Sequence, residues 1–353
     1  MLFSSFLAAF GISVMIVPLI MWIMQKFKVV DQPKAKRKIH STPIPLGGGL
    51  AIFLSFFVVV FGVLVFTNHL NHEIRIIQLI SIFFASLVLI TGGIVDDRYD
   101  LPPKYQIIFP LIATFLILIS GIHLDSITNP FGGSFSLVNI SIPIGKWSQL
   151  MVLADSLLFL WIMGLMFTTK VLDGLDGLVT GIISIGAILI MLLSLQPQWY
   201  QYEVALLSAV FAGSCLGFLV YNFHPAKIFL GQGGSMFTGF LLAVLAILSD
   251  GKIAVTLLVM AVPVLDVLRV IARRWQKKKP LFVGDNEHLH FRLLKSGLSH
   301  RQTVLLFYSI SFLFGMSAFF LQSHEKFIAL SFLFLLMLLI GIWFSRQDAR
   351  NRG

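Results

Sequence analysis

Residues 2–24 read LFSSFLAAFGISVMIVPLIMWIM, an apolar stretch without a single charged side chain. About 20 mostly apolar residues in an α-helix are enough to cross the hydrocarbon layer of a membrane, which is roughly 30 Å thick. No basic residue precedes the stretch, whereas Lys26 and Lys28 follow it, and this is not the charge order of a cleaved signal peptide. The stretch therefore predicts an uncleaved first membrane helix with its N-terminus outside.

The same apolar character recurs along all 353 residues. Hydrophobic residues make up 57% of the chain and charged residues 12%, which excludes a soluble globular protein, and the 34 Phe residues exclude an intrinsically disordered chain. The segments that qualify as membrane helices are 2–24, 47–66, 76–95, 105–122, 151–168, 178–195, 204–221, 235–249, 253–272, 303–321 and 327–344. The sequence thus predicts an all-α, polytopic integral membrane bundle of about eleven helices, forming one domain over 1–353.

The positions of the 26 Lys and Arg residues predict how this bundle is oriented. With the N-terminus outside, all but four of them fall in the inner connections and the C-terminus, and the exceptions are Arg75, Lys146, Lys252 and Lys326. Such an excess on one side is the positive-inside pattern of membrane proteins. The net charge of +10 is explained by this orientation, so no nucleic acid is expected as a partner.

Two of the connections between the predicted helices have further features, one on the outer side and one on the inner side. The outer one, 123–150, contains Asn-Pro-Phe-Gly-Gly at 129–133 and alternating residues at 134–140, which predict a small β-hairpin. The inner one, 273–302, is a cytoplasmic loop that contains histidines. Cys215 is the only cysteine, so no intramolecular disulfide can form and the redox compartment cannot be inferred.

Carboxylates cluster at the predicted inner ends of the helices. Asp96 and Asp97 are adjacent and would repel each other unless they share a cation or a proton, and Mg²⁺ bound with substrate phosphates meets that need. A solvated helix end neutralised by Arg98 explains the same pair equally well. Asp173 and Asp176 are three residues apart, which would place them on one face of a helix. Helix packing accounts for the glycines beside them but not for the carboxylates.

Two inner segments have the composition of anion-binding sites. The segment 231–235, GQGGS, opens the eighth predicted helix, where free N–H groups can receive a phosphate, although a flexible helix start is the simpler interpretation. His288, His290 and Arg292 form a predicted cationic cluster suited to phosphate oxygens, with contact to lipid headgroups as the alternative. The isolated inner histidines, predicted to be interfacial side chains rather than ligands, are His40, His224 and His300.

Basic groups, carboxylates and glycine-rich segments therefore all lie at the inner membrane edge. A phosphate-bearing soluble donor and a lipid-bound acceptor would both require this arrangement, so the residues indicate phosphoryl transfer at a bilayer surface. A transporter would more often place its ionisable groups near the bilayer midplane, in broken helices.

Over nearly its whole length the chain resembles the polyprenyl-phosphate N-acetylhexosamine-1-phosphate transferase superfamily. This group includes the bacterial enzymes that start O-antigen and teichoic acid linkage synthesis and the phospho-MurNAc-pentapeptide translocase. The matching motifs are RKIH and PIPLGGG within 37–49, DD at 96–97, LDGLDGL at 172–178, YNFHPAKIF at 221–229 and HLHFRLL at 288–294. The histidine-containing loop is more similar to the GlcNAc-type branch than to the translocase branch.

The resemblance implies transfer of a sugar 1-phosphate from a UDP-N-acetylhexosamine to a polyprenyl phosphate, with release of UMP, as the first membrane step of a cell-envelope polysaccharide. It implies a plasma-membrane enzyme with a cytoplasmic active site that uses Mg²⁺, with Mn²⁺ as the alternative ion. Asp96 and Asp97 would orient or deprotonate the lipid phosphate and help to hold the metal, and Asp176 would lie near the metal and the diphosphate. The residues implied to contact the donor are Lys38, Asp173 and Asn222 near the nucleotide, and His288, His290 and Arg292 near the diphosphate or sugar.

Two positions depart from the family pattern. Where the family has a metal-binding Asp this chain has Gln232, and where it has an Asn before the double Asp-Gly motif this chain has Lys170. Asp97, Asp176 and Gln232 are thus the expected metal ligands, and Lys170 either neutralises the donor diphosphate or pairs with Asp173.

Two other functions stay open at this point. A divergent member without catalysis would bind a lipid phosphate or a nucleotide sugar as a regulator, and a transporter or lipid flippase would form no covalent product. The resemblance also leaves open whether the chain forms a homodimer.

Overall fold

A computed structural model gives the architecture of the chain. The residues it describes are 1–32, 42–124, 126–129, 131–137, 141–144, 148–249, 253–276, 278 and 287–350. The helices within them are α1 (Leu2–Lys26), α2 (Gly48–Phe66), α3 (Ile76–Tyr99), α4 (Pro103–Gln106), α5 (Ile108–Ile119), α6 (Val152–Leu172), α7 (Leu178–Ser194), α8 (Tyr202–Asn222), α9 (Gln232–Leu248), α10 (Ile253–Val259), α11 (Ala261–Gln276), α12 (Leu289–Lys295), α13 (His300–Ser317) and α14 (Ser323–Arg350). A short 3₁₀ helix covers Pro197–Trp199.

Every predicted apolar segment is helical, and the prediction of a polytopic helical membrane protein is confirmed. Within the described residues, α1, α2, α3, α6 and α8 are long and apolar enough to cross a membrane, and the bent pair α10 and α11 can form a sixth crossing. The remaining apolar helices α7 and α9, and the segment 103–119, are shorter. The number of eleven crossings therefore stays a prediction.

The ninth predicted segment, 253–272, differs from the single helix that was expected. It bends by 73° between α10 and α11, at Met260. Pro263 accounts for the break, because it has no N–H to donate to the Val259 carbonyl and its ring clashes with that carbonyl. Asp266 and Arg269 lie on α11, beyond this bend.

Helix α9 forms the centre of the bundle. All its residues from Gly233 to Ile247 are buried, and it packs against α6, α3, α7 and α2. A helix that is apolar on every side is stable in a protein core or across a membrane, and α9 lies in the core of this bundle. Glycines permit the closest approach, since a Cβ on Gly93 would lie 2.0 Å from the Gly233 Cα and one on Gly49 would lie 2.2 Å from the Gly234 Cα. The end of α3 and the start of α2 therefore meet at the start of α9.

The 123–150 connection contains two hairpins where one was predicted. β3 (Ser126–Thr128) pairs with β4 (Ser134–Ser136), and β5 (Ser141–Ile144) pairs with β6 (Ser148–Met151), both antiparallel. The reason lies in Gly132 and Gly133, whose positive φ angles of 124° and 74° place them in the turn of the first hairpin rather than beside it. A third pair, β1 (Val30–Asp31) with β2 (Ile44–Pro45), leads into α2.

Candidate active site

Asp97 lies in the last turn of α3 and faces the first residue of α9. The backbone N–H of Gln232 donates to both carboxylate oxygens of Asp97, at 3.2 Å each. Free N–H groups and the positive end of the helix dipole favour an anion at such a helix start. The segment 231–235 was considered as a phosphate site, and in this structure a carboxylate of the same chain takes that position.

Asp96 has a different set of partners. It is buried, and its Oδ1 accepts hydrogen bonds from the Leu101 N–H at 2.9 Å and from the Gln106 Nε2 at 3.1 Å. These bonds fix the turn between α3 and α4. The two adjacent carboxylates thus use different donors, and a shared cation is not needed to explain why both are present.

Lys170, in the last turn of α6, reaches this cluster through Gln106. Its Nζ donates to the Gln106 Oε1 at 2.8 Å, while the Gln106 Nε2 holds Asp96. Lys170 also interacts electrostatically with Asp96 and Asp97. The alternative pairing of Lys170 with Asp173 is therefore not the arrangement in the described structure. Gln106 was not predicted to be a site residue, because it lies outside every motif in the sequence.

Asp173 and Asp176 are not on a helix face, as was expected. Helix α6 ends at Leu172 and α7 begins at Leu178, so both carboxylates lie in the connecting turn. Gly177 explains this difference, because its φ of 78° is left-handed and does not continue a helix.

Asp173 is exposed at the surface, yet its carboxyl group is surrounded by enough protein to be partly desolvated. This desolvation raises the pKa of Asp173 to about 7, and the negative charges of Asp97 and Asp176 add to the increase. The electrostatic coupling also means that the turn between α6 and α7 lies close to the end of α3.

We expect Asp173→Asn to raise the thermal unfolding temperature more at about pH 8 than at about pH 5. The pKa of Asp173 is higher in the folded protein than its ordinary value of 3.8. The folded state therefore becomes less stable, relative to the unfolded state, as the pH rises from 3.8 to about 7. Asn removes this loss. Unfolding of the detergent-solubilised protein at both pH values measures the difference. Asp100→Asn, at an exposed position, is the control, and an equal effect at both pH values would contradict the raised pKa.

Asp176 is joined to two histidines that were predicted to be isolated interfacial side chains. Its Oδ2 lies 2.7 Å from the His224 Nδ1 and accepts the Ala226 N–H at 3.2 Å. The ring of His300, at the start of α13, stacks on that of His224 with centroids 4.0 Å apart. Asp176 thus belongs to a cluster formed by three separate chain segments.

Asn222 connects the end of α8 with the start of α7. Its Oδ1 accepts the Gly177 N–H at 3.1 Å and the Thr180 hydroxyl at 3.0 Å, and its Nδ2 donates to the Ile228 carbonyl at 3.0 Å. Because the amide is buried and already holds both turns, its contribution to this region is positioning.

Asp266 organises the histidine-containing loop, and sequence reasoning missed it. This buried carboxylate of α11 lies 2.9 Å from the His288 Nδ1, accepts the Leu289 N–H at 3.0 and 3.1 Å, and receives the Arg269 guanidinium at 2.7 Å. A charged residue inside an apolar segment was the available signal, since such residues must be compensated.

The predicted cationic cluster carries less positive charge than expected. His290 is only 1% exposed, and burial lowers its pKa to about 3, so its ring is neutral at physiological pH. Neither of its ring nitrogens has a hydrogen-bond partner among the described residues. Arg292 keeps the positive charge, and its Nε donates to the Glu287 carbonyl at 3.1 Å.

His290 also connects this loop to the turn between α6 and α7. A Cβ on Gly174 would lie 2.6 Å from the His290 Nε2, so the glycine allows direct contact. The described part of the 273–302 loop thereby joins the same end of the bundle as Asp97 and Asp173.

The structure places the three expected metal ligands in two different groups of side chains. Asp97 and Gln232 are neighbours at the start of α9, whereas Asp176 lies with His224 and His300. The Gln232 Oε1 is buried and has no hydrogen-bond partner among the described residues. Carboxylate and amide oxygens are ligands that suit Mg²⁺, which commonly takes one or two carboxylates and completes its shell with water and phosphate. Asp97 and Gln232 therefore fit this ion. Lys38 lies outside the described residues.

Comparison with known proteins gives a consistent result. The family described as Glycosyl transferase family 4 matches residues 79–250. The chain is 35% identical over 333 residues to a probable undecaprenyl-phosphate N-acetylglucosaminyl 1-phosphate transferase of Bacillus subtilis, covering 93% of this chain and 87% of that protein. It is 30% identical to a decaprenyl-phosphate N-acetylglucosaminephosphotransferase of Mycobacterium leprae, covering 81% and 75%. It is 28% identical to a phospho-N-acetylmuramoyl-pentapeptide-transferase of Halalkalibacterium halodurans, covering 91% and 97%.

Proposed function

Because the chain belongs to glycosyl transferase family 4, we propose that it transfers N-acetylglucosamine 1-phosphate from a UDP-sugar to a polyprenyl phosphate. An oxygen of the lipid phosphate attacks the sugar-bearing phosphorus, the bridging P–O bond to UMP breaks, and the products are polyprenyl-diphosphate sugar and UMP. The observation that carries this proposal is the meeting of Asp97, the 173–177 turn and the histidine-containing loop at one end of a membrane bundle.

The acceptor needs alignment more than it needs a base. A phosphate monoester has a second pKa near 6, so the lipid phosphate is largely ionised at pH 7. Catalysis then depends on positioning and on neutralising the charge of the phosphates. Asp97 orients the acceptor, and Asp96 acts as a positioning residue through its bonds to Leu101 and Gln106.

Asp97 and the Gln232 amide oxygen are the residues that would hold Mg²⁺ or Mn²⁺. The ion, when bound, neutralises negative charge on the diphosphate. Lys170 contributes a fixed positive charge near Asp96 and Asp97.

The donor is bound by the turn between α6 and α7 and by the histidine-containing loop. Asp173 faces the nucleotide, with Asn222 holding the neighbouring turn and Lys38 as a further contact. Arg292 pairs with the diphosphate, and neutral His290 can accept or donate one hydrogen bond to the sugar or phosphate. His288 positions this loop through Asp266.

A divergent member without catalysis is the second candidate, and Gln232 favours it. A neutral amide attracts a divalent cation less than the carboxylate of the family pattern does. Such a protein would bind the lipid phosphate or the UDP-sugar without forming a product.

Incubation of the purified protein with a panel of UDP-sugars, a polyprenyl phosphate and Mg²⁺ or Mn²⁺ tests the proposal. We expect a polyprenyl-diphosphate N-acetylhexosamine, identified by its mass, and an equal amount of UMP. Donor binding without either product, under all donors and both ions, would support the second candidate and contradict the first.

We further propose that the site faces the cytoplasm of a plasma membrane, with the N-terminus outside. A Cys introduced at position 286 should then react only with a membrane-permeant thiol reagent, and one at position 136 should also react with an impermeant reagent in intact cells. Buried Cys215 provides the background signal. Reaction of position 286 alone from the outside would reverse the topology.

Arg292→Ala is expected to raise the KM for the UDP-sugar by at least about tenfold while changing kcat less. The lost guanidinium is the charge that would pair with the donor diphosphate, and hydrogen bonds to charged groups contribute roughly 1.5–3 kcal/mol. Steady-state kinetics with varied UDP-sugar measure the effect. Lys295→Ala is the control, because Lys295 is exposed on the same helix. An unchanged KM would instead assign Arg292 to lipid headgroups.

A further inference from the structure

The cluster of Asp176, His224 and His300 has a composition unlike the rest of the site. One ligand atom from each residue can be chosen so that all three atoms lie within 4.8 Å of one another, and no other such group of His, Cys, Asp or Glu occurs among the described residues. Two imidazoles and one carboxylate are a donor set that suits Zn²⁺ and similar transition ions, whereas Mg²⁺ prefers oxygen ligands.

One nitrogen in the cluster is left without a well-aligned partner. The His300 Nε2 is buried and has no well-aligned hydrogen-bond partner within the described part of the chain, although the His300 ring interacts with the Asp176 backbone. Buried polar atoms are nearly always satisfied, so an exception calls for an explanation. A cation bound beside His224 and Asp176 would supply the missing interaction.

The supporting elements hold the three side chains close together while leaving access. The Arg301 Nε donates to the His224 carbonyl at 3.1 Å, which joins the start of α13 to the segment after α8. The side chains of His224 and Asp176 are 34% and 19% exposed, so an ion can enter from solvent. Since metal–ligand distances are about 2 Å, two ligand atoms can be at most about 4 Å apart, and small side-chain rotations suffice.

We infer that Asp176, His224 and His300 form a binding site for a divalent transition ion such as Zn²⁺, with water completing the coordination. Binding replaces the hydrogen bond between His224 and Asp176 and requires both imidazoles to be neutral. The ion also occupies the carboxylate of Asp176, which belongs to the 173–177 turn of the proposed active site. It therefore acts as an inhibitor, and this second part rests on the proposed transferase function.

Equilibrium dialysis of the detergent-solubilised, EDTA-treated full chain against Zn²⁺, followed by metal analysis, tests the binding site directly. We expect one Zn²⁺ per chain in the parent, retained in a large excess of Mg²⁺. His300→Phe and His224→Phe keep a ring in the stack but lose a ligand, and each should weaken binding by about tenfold or more, as even indirect changes at metal sites do. His69→Phe, at an exposed position in the connection between α2 and α3, is the control.

If a histidine variant kept the parent's thermal unfolding transition and still bound Zn²⁺ as tightly as the parent, the proposed site would be overturned. Loss of Zn²⁺ from the parent in excess Mg²⁺ would also overturn it. If one variant does not fold, the other decides. Product formation with and without Zn²⁺ then tests inhibition, which should disappear in His300→Phe. Zn²⁺ bound without loss of product formation would refute the inhibitory role alone, and an inactive parent would refute the transferase proposal without affecting the dialysis result.

Discussion

Replacing Asp97 with Asn is expected to lower formation of the lipid product by more than about 100-fold, the range found when a group that stabilises developing charge is removed. The amide preserves the shape of the side chain but has no negative charge for a cation and only one oxygen for the Gln232 N–H, which now donates to two. Initial rates of product formation, measured by mass with saturating substrates, give the effect.

The comparison variant is Asp100→Asn, because Asp100 is an exposed carboxylate only three residues along the chain. Both variants should retain the thermal unfolding transition of the parent, which separates loss of activity from loss of folding. If Asp97→Asn remained within about tenfold of the parent, equivalent to ~1.4 kcal/mol of barrier, Asp97 would be a structural residue that stabilises the start of α9.

The membrane helices could be predicted from sequence because apolar length is a local property. Each segment, such as 2–24, reveals itself without reference to any other part of the chain. The bend between α10 and α11 and the turn at Gly177 were not predicted; Pro263 and Gly177 stand at these points of the sequence, but neither residue alone specifies the angle that results. Orientation and crossing number remain predictions, since they depend on a bilayer as well as on the chain.

The partners within the site could not be predicted, because they come from distant segments. His224 and Asp176 are 48 residues apart and meet only because α7 and α8 are packed side by side. Gln106 and Lys170 are 64 residues apart, and their hydrogen bond depends on how α4 and α6 end. Periodicity assigns a side chain to a face of a helix, whereas these contacts depend on how several helix ends are placed together.

The charge of a site residue is equally a property of the assembled structure. His290 belongs to a motif that suggests a cation, yet burial beside the 173–177 turn makes it neutral. Arg292 in the same motif provides the positive charge, since a guanidinium group is a cation in proteins. Residue type alone therefore identified the loop as a candidate anion-binding site. It also predicted a positive charge on His290, whose ring is neutral.

Lys170 and Gln232 should be energetically coupled, because both act on Asp97. Lys170 interacts electrostatically with Asp97, and the Gln232 N–H bonds directly to its carboxylate. If the ammonium group replaces part of the charge that a metal would supply, Lys170→Asn alone lowers activity by at least about tenfold. Adding Gln232→Asp restores a carboxylate ligand, so the double variant should recover activity and require more Mg²⁺.

Initial rates of the parent, both single variants and the double variant at several Mg²⁺ concentrations form a double-mutant cycle. Coupling of at least ~1.4 kcal/mol, a tenfold departure from additivity, is expected. Lys104→Asn is the control for loss of a positive charge at an exposed position of α4. Additive losses would mean that Lys170 acts only through Gln106 on the turn held by Asp96, and the substitution at 232 would then be independent of it. Coupling would instead mean that Lys170 supplies part of the positive charge that the family pattern obtains from a metal held by a carboxylate at position 232.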